Sequence, residues 1–160
     1  AALRSHPMVN SSWLGDKIRI NKDINIGVAV AVEEGLLVPV LFSADRMGLN
    51  EINSLVSSLA DKARNKKLQP QEMQGNTFTV SNLGMFGIDE FTAIINPPDS
   101  AILAIGTIND ELSLVDGQVK SSKIMKVTMS CDHRVVDGAT GAKFLQTFKQ
   151  YLENPIAMLL

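Results

Sequence analysis

From Ile24 onward, β-branched residues fall on alternate positions: Ile24, Ile26, Val28 and Val30, with Asn25, Gly27, Ala29 and Ala31 between them. A period of two puts every second side chain on one face of an extended chain, so this stretch predicts a strand with one buried face. Glu33-Glu34-Gly35 is a turn signal and Leu36 to Phe42 a second apolar run, so the two runs predict a hairpin. Pro39 lies inside the second run and has no N–H to give a ladder, which places that strand at an edge or a bulge. The period then changes. Leu49, Ile52, Val56, Leu59 and Ala63 recur at helical spacing, with Pro70 beyond them as a stop. A second helix carries Ala142, Leu145, Phe148 and Leu152 and is closed by Pro155. Further strands are predicted at Thr77 to Val80, at Ala101 to Ile105 with Gly106 closing it, and at Ile124 to Ser130. Asp116-Gly117, flanked by Leu112 to Val115 and Val119, is a hairpin signal. Trp13 and Ile18 are early apolar anchors, Ser81 to Gly87 a loop with two glycines, and Asn96 to Asp99 a rigid turn. Strands outnumber helices and hairpins mix with two substantial helices. That pattern predicts one α+β domain, a mixed β-sheet with helices packed on it.

Composition narrows the function. Fifteen basic against 17 acidic residues leave a formal net charge of −2, without the basic stripe of a nucleic-acid binder. The densest basic run, Lys62 to Lys67 with Arg64 inside it, follows Asp61 and reads as a solvated helix face. Cys131 is the one cysteine, so no internal disulfide framework exists. No apolar run approaches the ~20 residues that cross a bilayer, and Ala1 to Pro7 resembles the end of a helix cut by proline rather than a signal peptide. Metal binding fails on ligand supply, with His6 and His133 far apart. The Gly84–Gly87 loop lacks the lysine and spacing of a phosphate cradle.

The richest cluster is Ser130-Cys131-Asp132-His133-Arg134-Val135-Val136-Asp137-Gly138, between a predicted strand and a predicted helix. Histidine exchanges a proton near neutral pH, and a carboxylate four residues on shares its face if the chain makes one turn there. Taken alone, the cluster also fits a structural description. His133 is then a hydrogen-bonding group, Asp132, Arg134 and Asp137 a strand-end charge network, and Gly138 a tight entry to the helix. Cys131 reads as buried and inert, since nothing supplies the electropositive setting of a reactive thiol.

Asp132 to Gly138 matches the D-H-R-x-x-D-G signature and resembles that of the dihydrolipoamide acyltransferases, core subunits of the 2-oxo-acid dehydrogenase complexes. Asn10-Ser11-Ser12-Trp13, Gly35 to Val40, Arg64 to Leu68, Phe78 to Gly84 and Pro155 to Leu160 resemble further family segments, in the family's order. Leu83 to Gly87 and Ser130 to His133 look most like the pyruvate dehydrogenase branch. The resemblance implies a chloramphenicol acetyltransferase-like fold over residues 1–160, with an N-terminal part of the domain absent and the active site at a trimer interface. His133 would be the general base for the coenzyme A thiol, and Ser81 of a neighbouring subunit the oxyanion donor. Asp137, the third catalytic candidate, would hold local geometry and stabilise the imidazolium. The acetyl donor would be a lipoyl group carried on a lipoyl domain outside this chain.

Asn82, Gly84 and Phe91 are candidate substrate contacts. The first two equally shape a loop, Phe91 is equally a core residue, and Ser81 is equally a turn cap. The resemblance further implies homotrimers joined through the apolar tail, Ile156, Met158, Leu159 and Leu160, into a cubic or icosahedral core. Pyruvate dehydrogenase and dihydrolipoamide dehydrogenase subunits would be the partners, in the mitochondrial matrix or a bacterial cytoplasm. Succinyl or branched-chain transfer, a non-catalytic core subunit and a small-molecule acetyltransferase are the alternatives.

Overall fold

The computed structural model describes residues 1–115 and 117–158. Helix α1 (Ala2–Ser5) leads into a small antiparallel pair, β1 (Ser11–Trp13) with β2 (Ile18–Ile20). The alternating run at Ile24 is not one strand. It divides into β3 (Ile26–Val28) and β4 (Val30–Val32), which belong to different sheets. Pairing explains the division. β3 bonds on both sides, to β6 (Val40–Leu41) and to β7 (Phe78–Asn82), whereas β4 forms a hairpin with β5 (Gly35–Leu37). Ile26 consequently packs against both apolar clusters instead of lying on one buried face. The Glu33–Gly35 turn forms as expected, with Gly35 at φ 138°. Pro39 separates β5 from β6, and β6 is an edge of its sheet.

Helix α2 (Leu49–Arg64) buries Leu59 and Ala63 and packs Ile52, Leu55 and Val56 over Leu41 and Ala44. The basic run at its end is engaged with acids: Lys62 Nζ lies 2.6 Å from Glu72, and Lys66 pairs with Glu34. The main sheet has the order β6-β3-β7-β8-β9, where β8 is Ala101–Val115 and β9 is Gln118–Cys131. β3, β7 and β8 run parallel, β6 and β9 antiparallel, so the sheet is mixed. Gly106 does not close β8. The register slips between Ile105 and Ile108, and the β8–β9 ribbon continues past the end of β7 to the Val115–Gln118 pair. Asp116 of the hairpin signal lies outside the described residues, as do Leu159 and Leu160 of the tail. Among the described residues β9 is the other edge of the sheet.

One face of the sheet is apolar: Phe78, Ala101 and Leu103 pack under Phe144 and Phe148 of helix α3 (Gly138–Glu153). The buried face of α3 runs through Gly141 and Phe144 rather than through Ala142, which is exposed, because Gly141 fits against Met129 of β9. The opposite face carries the intervening residues of the same register, Thr79 with Ile102 and Ser130, and Ser81 with Ala104 and Thr128. Residues 83–98 roof that face. Ser130 Oγ donates to Ala93 O at 2.6 Å, Lys126 Nζ to Asp89 at 2.5 Å, and Thr107 N to Ile88 O at 2.8 Å. The roof stands close because glycines meet it. A Cβ on Gly84 would lie 2.6 Å from Gly106 O, and one on Gly106 would overlap the Asp89 carbonyl.

A buried polar cluster joins four segments at one end of the sheet. Thr77 Oγ1 donates to Asn10 Oδ1 at 2.7 Å, and Asn10 Nδ2 to the Asp23 carbonyl at 3.0 Å. Asp99 Oδ2 accepts from Thr79 Oγ1 at 2.6 Å and Asn76 Nδ2 at 2.7 Å, while its Oδ1 is buried without a partner among the described residues. Burial pushes the Asp99 carboxyl above the usual carboxylate range, against the pull of those two donors.

Two outcomes follow for stability. Gly106→Ala should destabilise the fold by about 1–3 kcal/mol through overlap with backbone, measured by denaturant unfolding. Asp99 is more readily protonated folded than unfolded, so its contribution is most favourable at low pH and is lost as pH rises through its folded pKa. Asp99→Asn keeps the oxygen acceptor and does not titrate. The melting temperature of the variant minus that of the parent should therefore increase from about pH 4 to about pH 8, in thermal scans across that range.

Candidate active site

His133 follows β9 in a doubly closed turn. Asp132 N donates to Ser100 O at 2.8 Å, and the Asp132 carbonyl accepts from Val135 N and Val136 N, both at 2.9 Å. The Asp132 carboxylate accepts from Arg134 N at 3.1 Å, an Asx-type turn with His133 at its centre. It also takes the Arg134 side chain, with Nε at 2.9 Å and Nη2 at 2.6 Å, and this fork holds the Asp132 carboxyl below the usual carboxylate range. Val135 and Val136 anchor the turn in the apolar core. The His133 side chain is left exposed beyond the turn.

Asp137 is the N-cap of α3, accepting from Thr140 N at 2.7 Å, and this bond is the chief reason its carboxyl lies below the usual range. The charge of His133 adds a smaller lowering. The direct structural work of Asp137 is on the helix that begins five residues after the histidine. Cys131 is half-buried rather than buried; its Sγ donates to Val136 O at 3.6 Å, and partial burial with the neighbouring Asp132 and Asp137 pushes its thiol upward, away from a reactive thiolate.

Ser81 and Asn82, expected in a loop, are the last residues of β7; the loop starts at Leu83, because β7 stays paired with β8 as far as Ile105. Ser81 is half-buried on the roofed face. Asn82 is exposed and its Oδ1 accepts from Gly84 N at 2.9 Å, so the pair shapes the turn into the roof. Phe91 is half-buried in the roof, between the Asp89 and Ala93 contacts to β9. Met85 and Ile94 of the roof are 79% and 92% exposed, an apolar outer surface.

Ser81 and His133 do not meet within the chain. Ser81 is level with Thr128 across β8, and Cys131 lies three residues further along β9. Two strand spacings and three residue rises place Ser81 on the order of 14 Å from Cys131, and His133 follows that end. The fork of Asp132 on Arg134 realises part of the strand-end charge network read from the sequence, with Asp137 outside it as the α3 cap, whereas the Arg134 guanidinium carbon 5.2 Å from the centre of the Trp13 ring is a feature sequence reasoning missed. An Asp followed two residues later by Arg hints at the fork, but nothing local links Arg134 to Trp13. Among the described residues no group of three His, Cys, Asp or Glu is placed to hold a metal ion, and no helix is long and apolar enough to cross a membrane.

Residues 1–160 match the 2-oxoacid dehydrogenases acyltransferase (catalytic domain) family. The chain is 50% identical over 163 residues to the mitochondrial dihydrolipoyllysine-residue acetyltransferase component of the pyruvate dehydrogenase complex of Dictyostelium discoideum, covering 100% of this chain and 26% of that protein. It is 47% identical over 159 residues to the corresponding component of Rickettsia bellii, covering 99% of this chain and 38% of that protein. The chain thus spans about a quarter to two fifths of the length of these curated relatives.

A solved dihydrolipoamide acetyltransferase of Azotobacter vinelandii, investigated for the catalytic role of a serine, a histidine and an asparagine four positions after that histidine, superposes with a TM-score of 0.93. The identity there is 37%, over 99% of this chain and 66% of that one. Chloramphenicol acetyltransferase shares the fold alone, at 14% identity over 94% of this chain and 72% of that one, with a TM-score of 0.55. With the family signature folded as a helix-capped turn and the whole length matched, this chain belongs to the catalytic-domain family of the 2-oxoacid dehydrogenase acyltransferases.

Proposed function

We propose that the protein carrying this domain transfers an acetyl group from acetyl-dihydrolipoamide to coenzyme A, as the core subunit of a pyruvate dehydrogenase complex. The observation that carries this reading is the Asp132–Gly138 turn. It presents the exposed imidazole of His133 between two anchored aspartates, in a chain half identical to acetyltransferases of that complex. His133 takes the proton of the coenzyme A thiol. The thiolate adds to the thioester carbonyl, and the tetrahedral oxyanion accepts a hydrogen bond from the Ser81 hydroxyl. Collapse expels the dihydrolipoyl thiolate, which takes the proton back from His133. Bond made and bond broken are both thioester C–S bonds, so the step needs no other reactant. A positioned base contributes ~10²–10⁴-fold and an oxyanion donor ~10²–10³-fold.

The separation of Ser81 from His133 favours a site shared between two copies, His133 from one and Ser81 from its neighbour, in a homotrimer. The exposed apolar roof beside Ser81 supports such contact. One solved relative is described as the cubic core of the pyruvate dehydrogenase multienzyme complex, with a TM-score of 0.94 at 37% identity. We extend that mode of assembly, through the apolar tail and with pyruvate dehydrogenase and dihydrolipoamide dehydrogenase subunits as partners, to this protein. The curated relatives include mitochondrial and Rickettsia proteins, and we place this one in the mitochondrial matrix, with a bacterial cytoplasm as the alternative.

Subunit mixing tests the shared site. His133→Ala and Ser81→Ala should each lower acetyl transfer ~10²-fold or more in the assembled full-length subunit. Assemblies formed from both variants together should regain part of the activity, since some interfaces pair an intact His133 with an intact Ser81; mixtures no better than either variant would place both residues in one chain. At position 137, Asp137→Asn should keep the helix cap and most activity, as an asparagine holds that spacing in the Azotobacter enzyme. Asp137→Ala should cost ~1 kcal/mol of stability by thermal unfolding and lose activity with it.

A further inference from the structure

We infer that Trp13 is a positioning residue for His133, acting through the Arg134–Asp132 fork; this rests on the assignment of His133 as the base. The argument begins with what fixes the imidazole. No side-chain hydrogen bond holds His133 among the described residues, so its placement is set by the backbone of the 132–135 turn. That backbone depends on the rotamer of Asp132, whose Oδ1 accepts from Arg134 N and closes the turn around His133. Asp132 is in turn held by both ends of the Arg134 guanidinium. The Arg134 guanidinium lies over the Trp13 ring, at a distance suited to a cation–π contact.

Main-chain bonds keep this stack in register. Ser100 N donates to Ser11 O at 3.1 Å and Asp132 N to Ser100 O at 2.8 Å, so β1, the start of β8 and the histidine turn are bonded in series. Trp13 is thereby carried to the turn by the same strand that is tied into the buried polar cluster. Trp13 packs against the apolar core, but the ion pair it supports adds little stability. Arg134 is largely exposed, and exposed ion pairs add only about 0–1 kcal/mol. What the stack restrains is direction: with Trp13 in place, Arg134 keeps one rotamer, Asp132 keeps its turn bond, and His133 keeps one backbone conformation. Catalysis is sensitive to such restraint, since a 1 Å misplacement of a reacting group costs ~10²-fold.

The test uses the assembled full-length subunit, with acetyl-dihydrolipoamide and coenzyme A varied in turn. Trp13→Leu keeps an apolar side chain and removes the ring face. It should lower kcat about tenfold, with both KM values within about twofold, and with the midpoint of the pH profile of kcat unmoved. Trp13→Phe should restore most of the loss. Arg134→Gln, on the surface, should reproduce the fall in kcat and covers the case in which Trp13→Leu does not fold. An unchanged kcat in Trp13→Leu, or in Arg134→Gln, overturns the proposal. So does a rise in KM at constant kcat, which would make Trp13 a substrate contact, or a fall in kcat matched by loss of assembly or melting temperature. Parent and His133→Ala are measured beside them. Equal rates in those two would instead overturn His133 as the base.

Discussion

Everything that positions the site hangs from hydrogen bonds made in the absence of water. Asn10, Thr77, Asn76, Thr79 and Asp99 are buried, come from three separate stretches of chain, and bond one another and the carbonyls of Asn21 and Asp23, leaving Asp99 Oδ1 without a partner among the described residues. Such groups are costly singly and specific together, because removing one strands its partners without solvent. The cluster therefore admits one arrangement of β1, β7 and the 96–100 turn. Ser100, next to Asp99, passes that arrangement on by bonding β1 on one side and the histidine turn on the other.

The sheet then divides its faces. The apolar face takes α3, and α3 is capped by the aspartate that ends the histidine turn, so the turn is clamped between a polar cluster and a helix. The other face takes the roof, and its small residues, Ala104, Gly106 and Gly84, allow backbone to lie on backbone. Ser81 and His133 sit at different levels of this frame, one along β7 and one beyond the end of β9. A frame that holds each group firmly and apart is what the proposed site between two copies requires.

What could be read from the chain beforehand was whatever depends on neighbours in sequence. The α2 pattern, the Glu33–Gly35 turn, the edge position implied by Pro39 and the Asp132–Gly138 signature all rest on local spacing, and the structure contains each. The alternation at Ile24 misled, because one continuous pattern serves two sheets once β3 is paired on both sides. Gly106 misled in the opposite sense: it is a glycine for the sake of the Asp89 carbonyl, not for the end of a strand. The helix face drawn through Ala142 missed Gly141, whose value is the room it leaves for Met129. The Trp13–Arg134 stack was invisible, since its two halves are far apart in sequence and are brought together by the Ser100 bonds and the shared apolar core.

The edge position of β9 has a consequence for solubility. A strand of 14 residues with one side open among the described residues is a template on which another strand can add, and proteins that persist must discourage this. In β9, Lys120, Lys123 and Lys126 recur every third residue, so successive lysines alternate between the two faces of the ribbon. Any foreign strand pairing along its outer half would bury an ammonium group whichever face it favoured. Val127 to Cys131 carries no charge at all, and there the roof and α3 cover the two faces of the sheet.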